Sequence, residues 1–241
     1  MSQRIVAVIG LGRFGESLAV ELANAGASVI AFDHKAELVD RVDQKRDVTA
    51  HLLSRGRFRE QIEGFDPQSW DVAVVAIGEN FEQQQNCVLA LAEIGVRHIV
   101  GRAQSSVHRK ILRCIGGDEM EIISPEIGFA SQLAKKLARR GLKQVLRLAG
   151  KCELIEAAVP ESMFGCSLKE LRVGAEHSIL VIGVRRGGVL LNDNDDEPDS
   201  DEDVSRIMPA GAETRLEKDD TFTLVGKSEA LRDFLDLRLD R

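Results

Sequence analysis

Residues 4–9 form an apolar run closed by Gly10, the pattern of a strand buried on both faces. Residues 14–25 follow with Leu18, Val20, Leu22 and Ala25 at helical spacing, and Gly26 is placed to end that helix. The alternation continues. Strands are predicted over 28–32, 48–53, 71–77, 97–101 and 121–123, and helices over 35–43, 79–94, 107–114 and 125–140, the last with Pro125 at its start. Strands alternating with helices imply a doubly wound α/β domain with a parallel sheet, spanning 1–141. Beyond Gly141 the rhythm changes to short strands at 144–148, 153–159, 179–184, 189–191 and 221–225, with helices at 168–171 and 228–237. Arg185-Arg186-Gly187-Gly188, between two apolar runs, reads as a hairpin turn. This second stretch, 142–241, is expected to be a small α+β domain carrying an acidic loop at 192–204.

Composition narrows the chemistry. The 241 residues are 44% hydrophobic and 29% charged, an ordinary globular balance that excludes a wholly disordered chain. No run approaches the roughly 18 apolar residues that a membrane-spanning helix needs, and no leader-like segment precedes the first strand. Cys87, Cys114, Cys152 and Cys166 are scattered with no C-x-x-C pair, which points to a reduced cytoplasmic setting. There is no tyrosine, so dehydrogenases that use a Tyr proton donor are excluded. The net charge of −7 is unevenly placed: residues 1–150 carry 20 basic and 18 acidic side chains, residues 151–241 carry 12 and 21. Eight carboxylates fall between Asp193 and Asp203 with no basic residue among them.

Gly10-Leu11-Gly12-Arg13-Phe14-Gly15 has G-x-G-x-x-G spacing, ends a buried strand and opens a helix. In that context the first Gly permits a tight turn, the second lets backbone approach a diphosphate, and the third lets helix and strand pack closely. The helix N-terminus offers N–H groups and partial positive charge to phosphate. Asp33 ends the second strand 18 residues past Gly15, where a carboxylate accepts from a ribose 2′-hydroxyl and repels a 2′-phosphate. The sheet is thus Rossmann-like. Arg13 puts a guanidinium in the phosphate loop; extra charge for a triphosphate, reach to a neighbouring subunit and a solvated surface position all remain open.

Ile9 to Gly15, the strand end Val74-Val75-Ala76-Ile77-Gly78 with Asn80, and Ile123-Ser124-Pro125-Glu126 together resemble the RCK proteins. More narrowly, the chain resembles the cytoplasmic regulatory subunits of Trk/Ktr-type potassium uptake systems, with a TrkA-C-like domain following the RCK domain. The resemblance implies a homo-oligomer, dimers assembling to an octameric ring. The ring would lie at the inner face of the cell membrane beneath a membrane-embedded potassium-translocating subunit. ATP, ADP or NAD(H) would change its shape. It also implies site residues: Gly10, Gly12 and Gly15 for the phosphates, Arg13 and Phe14 within the loop, and Asp33 for the ribose. Gly78 and Asn80 would lie beside the nucleoside and Arg102 after the fifth strand, while Glu126 would help hold Mg2+ or another cation at the phosphates. Arg55-Gly56-Arg57 departs from the small polar stretch usual there, which leaves the identity of the nucleotide open.

The remaining features read as structural. Lys135, Lys136, Arg139, Arg140 and Lys143 suit a solvated helix end. His51, His98, His108 and His177 show no ligand spacing. The acidic stretch lacks the Gly and Glu of a calcium loop, with Pro198 and Val204 in their places, and reads as a solvated loop. The 179–186 strand suits core packing and dimerisation. A non-enzymatic nucleotide sensor is expected; an NAD-dependent oxidoreductase accounts for the same fingerprint but needs a substrate site in the second domain. A DNA-binding regulator, and hence a nucleic-acid partner, is disfavoured by the acidity of that domain.

Overall fold

β1 (Ile5–Ile9) is almost wholly buried because its two faces meet two different cores. In the computed structural model, which describes residues 3–45, 47–54, 56–138, 141–148, 150–186 and 207–239, β1 pairs in parallel with β2 (Ser28–Asp33) and β4 (Val72–Val75). β3 (Val48–Leu52), β5 (Ile99–Arg102) and β6 (Glu121–Ile123) complete a six-stranded parallel sheet in the order β3-β2-β1-β4-β5-β6. The order reverses between β1 and β4, which opens a crevice at the carboxyl ends of the strands. Val6, Val8, Val29 and Val74 pack beneath α1 (Arg13–Asn24) and α2 (Ala36–Asp43). Ala7, Ile9, Phe32 and Val75 face the opposite core, with α3 (Phe58–Ile62), α4 (Phe81–Ile94) and α5 (Ser106–Gly116).

The chain divides into two compact units, Met1–Gly128 and Phe129–Arg241, each described by itself. The division falls inside α6 (Pro125–Ala138) rather than after Gly141, where the change of rhythm put it. The C-terminal half of this helix goes with the second unit, since Lys135 ion-pairs with the buried Glu153 there. That unit contains a second sheet of β7 (Leu142–Arg147), β8 (Cys152–Ala158), β9 (Leu180–Arg185), β10 (Ile207–Pro209) and β11 (Thr221–Lys227), in the antiparallel order β10-β9-β11-β8-β7. α9 (Ser228–Leu239) covers one face of it with Leu231, Phe234 and Leu235, against Ile155, Phe222 and Leu224. The neighbours of β9 among the described residues are β10 and β11. The expected hairpin partner at 189–191 and the acidic loop at 192–204 lie outside the described residues, as do Arg139 and Arg140. Lys135 and Lys143 are not part of a solvated patch: Lys143 Nζ donates to Thr221 Oγ1 at 2.6 Å.

Two short helices, α7 (Leu168–Leu171) and α8 (Val173–His177), follow the Glu161–Met163 turn. Ser167 closes α7 with a capping box: its hydroxyl accepts from Glu170 N–H at 3.3 Å, and the Glu170 carboxylate accepts from Ser167 N–H at 2.7 Å. That second bond holds the Glu170 carboxyl below its ordinary range. Ser167 is buried, so Ser167→Ala is expected to cost about 1 kcal/mol and lower the melting temperature by a few degrees, while Ser167→Thr retains most of it. Calorimetry of the two variants checks this.

Candidate functional site

The crevice at the carboxyl ends of β1, β2, β4 and β5 holds a cavity of about 760 Å³, within the range of small-molecule sites. Gly10, Gly12, Arg13, Phe14, Asp33, Gly78, Asn80 and Arg102 line it. Each glycine of the loop answers to a different constraint. Gly10 sits at φ +96°, donates its N–H to Phe32 O at 2.7 Å, and has Ile77 too close for a side chain. Gly15 lies beneath the cavity, where a Cβ would come within 1.9 Å of Gly10 O. Gly12 is the opposite case, because its Cβ would meet nothing within 4 Å and would project into open space at the cavity wall. Gly12 also starts α1 with no side-chain cap, so the first helical N–H groups are left for a ligand.

Asp33 is buried and does more than the ribose reading assigned to it. Its Oδ2 accepts from Leu11 N–H at 2.7 Å and its Oδ1 from Lys35 N–H at 2.8 Å, with His34 Nδ1 3.2 Å from Oδ1. The carboxylate therefore ties the glycine loop to the end of β2, and its remaining lone pairs are what a ribose hydroxyl has to use. Asn80 likewise serves the scaffold, its Oδ1 accepting from Gln83 N–H at 3.0 Å as the cap of α4. Arg13 is exposed at the cavity edge.

Arg102 comes from the end of β5 and is held on several sides. Its guanidinium carbon lies 5.3 Å from the Phe14 ring centroid, Nη1 is 3.4 Å from Ala76 O, and Nη2 donates to Glu126. The absence of a side chain at Gly78 makes room for it, since a Cβ there would come within 2.7 Å of Nη1. Glu126 is not among the residues lining the cavity. The Arg102 hydrogen bond, then backbone N–H at the start of α6, holds its carboxyl below the ordinary range. No three His, Cys, Asp or Glu side chains converge on a metal site among the described residues. With its carboxylate engaged by Arg102, Glu126 does not build a cation cage with its neighbours.

Other lining residues carried no sequence signal. Phe58 and Arg59, from α3, form part of the wall. Arg57 does not; it ion-pairs with Glu60 at 3.1 Å in solvent, while Arg55 lies outside the described residues. Cys87 contributes a thiol that burial pushes up to about 12, a neutral part of the wall rather than a nucleophile. His108 stacks on Phe81 at 3.7 Å and His51 lies against Phe32 and Phe65, so both are packing residues. Taken as chemistry, the cavity presents N–H donors and cations for an anion beside one anchored carboxylate for hydroxyls.

The TrkA-N domain family matches residues 6–125. The Ktr system potassium uptake protein C of Bacillus subtilis is 31% identical over 182 residues, 75% of this chain and 80% of that protein. The Ktr system potassium uptake protein A of the same organism is 27% identical over 76% of this chain and 80% of its own length. Among solved structures, the GsuK RCK domain aligns with 99% of this chain and 48% of its own length at a TM-score of 0.62 and 14% identity, a likeness of fold. With this sheet order, this glycine loop and this identity across most of both proteins, the chain belongs to the TrkA-N (RCK) family of Ktr-type potassium uptake proteins.

Proposed function

We propose that this chain is a nucleotide-sensing regulatory subunit of a potassium uptake system, acting without catalysis. The observation that carries the reading is the open space at Gly12: bare helix N–H groups face a cavity flanked by Asp33 on one side and Arg102 on the other. That is a cradle for a ribose joined to phosphates. Gly10, Gly12, Gly15, Arg13 and Phe14 hold the phosphates, Asp33 the ribose, Gly78 and Asn80 the wall beside the nucleoside, and Arg102 the anion beyond. The potassium uptake relatives support the transport setting, with a membrane-embedded translocating subunit as partner and a ring of copies, an octamer, as the assembly at the inner membrane face.

Such a subunit works by differential affinity. A nucleotide that binds one ring conformation tenfold tighter shifts the equilibrium by about 1.4 kcal/mol per site, and several sites multiply the effect. Titration with ATP, ADP, NAD and NADH, read by thermal shift, is expected to raise the melting temperature by several degrees at 100-fold excess over Kd, about 2.7 kcal/mol. Incubation with NAD and hydroxy acids is expected to leave the dinucleotide unconsumed. Absence of any shift sinks the nucleotide site; NADH formation sinks the non-enzymatic reading.

A further inference from the structure

Arg102 differs from the other cations of the cavity. Its side chain is only 16% exposed, its Nε is buried with no hydrogen-bond partner, and its plane rests on Phe14 of the glycine loop. A buried guanidinium requires an anion, and the anion present is Glu126, whose side chain is 54% exposed. A carboxylate and a phosphate dock on the same guanidinium fork. Glu126 therefore occupies a position that a phosphate oxygen suits equally well.

The sheet order says which phosphate. Asp33 ends β2, the glycine loop follows β1, and Arg102 ends β5 beyond β4, so the carboxylate and the guanidinium lie on opposite sides of the loop. A ligand with its ribose at Asp33 and its first phosphates at the α1 N-terminus carries its next group toward Arg102. A buried cation there favours a further phosphate over a neutral second nucleoside.

We propose that Glu126 is an internal counter-ion held on Arg102 in place of a phosphate, and that the terminal phosphate of a nucleoside triphosphate displaces it. This rests on the nucleotide reading above and names the ligand class the site selects. The exchange also reaches α6. Glu126 stands in its first turn, and no described residue of the helix is buried, so the Arg102 ion pair is one of few ties on its start. The other is Ser124, whose hydroxyl donates to Ala103 O at 2.6 Å and accepts from Arg109 at 2.8 Å. Displacement of Glu126 leaves the helix start held by Ser124 alone.

The test is calorimetric titration of the full-length protein with ATP and NAD in EDTA, using wild type, Glu126→Gln, Arg102→Gln and the double variant, with Glu126→Ala as a second removal of the carboxylate. Both Glu126 variants are expected to bind ATP about tenfold tighter and NAD within twofold of wild type. Arg102→Gln is expected to bind ATP at least tenfold more weakly, and adding Glu126→Gln to it should change nothing further. Amide exchange over 125–131 should accelerate when ATP binds wild type, and should be fast without ATP in Glu126→Gln. Unchanged or weaker ATP binding in the Glu126 variants, or a gain that persists without Arg102, overturns the exchange while leaving the nucleotide site intact. A wild-type protein that binds neither ligand overturns the nucleotide reading and the exchange with it.

Discussion

Gly12→Ala is expected to weaken nucleotide binding by tenfold or more while moving the melting temperature by no more than about 2 °C, and Gly15→Ala, three residues away, to do the reverse damage first. At Gly12 the backbone has φ −62° and ψ 179°, which any residue adopts, and a methyl group meets no protein atom within 4 Å. The folded state loses at most a few tenths of a kcal/mol from the poorer N-cap, partly returned by a stiffer unfolded chain. The methyl does occupy the space through which phosphate oxygens reach the first helical N–H groups. At Gly15 the same methyl would sit 1.9 Å from Gly10 O and 3.3 Å from the Ala76 side chain. Backbone has to give, so α1 must lift from β1. Overpacking of this kind costs about 3 kcal/mol, or roughly 10 °C for a unit of this size. Thermal unfolding without ligand and calorimetric titration separate the two. A Gly12→Ala protein that binds ATP as wild type does shows that the ligand never approaches the loop backbone.

The contrast also marks where sequence reading reached and where it stopped. The strand–glycine–helix unit was legible because a run buried on both faces, a helical period and three spaced glycines all point the same way within a dozen residues. The six strands of the parallel sheet followed from the same alternation. Legibility fell off wherever the partner is distant. Nothing local says that Asp33 accepts from Leu11, 22 residues back, or that Arg102 is paired with Glu126 rather than left for a ligand. α3 was missed because it is a five-residue helix between Gly56 and Gly64, too short for a period to register. In the second unit the strand order depends on register, including the shifts at Thr223/Leu224 and Leu142/Gln144, which no periodicity encodes. Lys135 and Lys143 looked like a solvated cluster for the same reason: their partners, Glu153 and Thr221, are 18 and 78 residues away.

Asp33→Ala is expected to destabilise the first unit by about 4 kcal/mol, lowering the melting temperature by more than 10 °C. The carboxylate takes two backbone N–H groups, and Leu11, which gives one of them, is fully buried. A buried donor stripped of its acceptor costs about 1–3 kcal/mol, and here two lose an ionised one. Asp33→Asn fills the same volume but offers a single acceptor oxygen, and its amide group turns donors toward a donor. It is expected to lose about half as much stability. The same substitution separates scaffold from recognition. Removing the charge relieves repulsion of a 2′-phosphate, so the ratio of NADP to NAD affinity is expected to rise about tenfold in Asp33→Asn even as both weaken. Unfolding calorimetry with paired titrations of NAD and NADP reads both effects. If Asp33→Ala melts where wild type melts, the carboxylate does not hold the loop. If Asp33→Asn destabilises the unit but leaves the NADP to NAD ratio unchanged, Asp33 holds the loop without reading the ribose, and recognition of the nucleoside falls to the opposite wall, at Phe58 and Arg59.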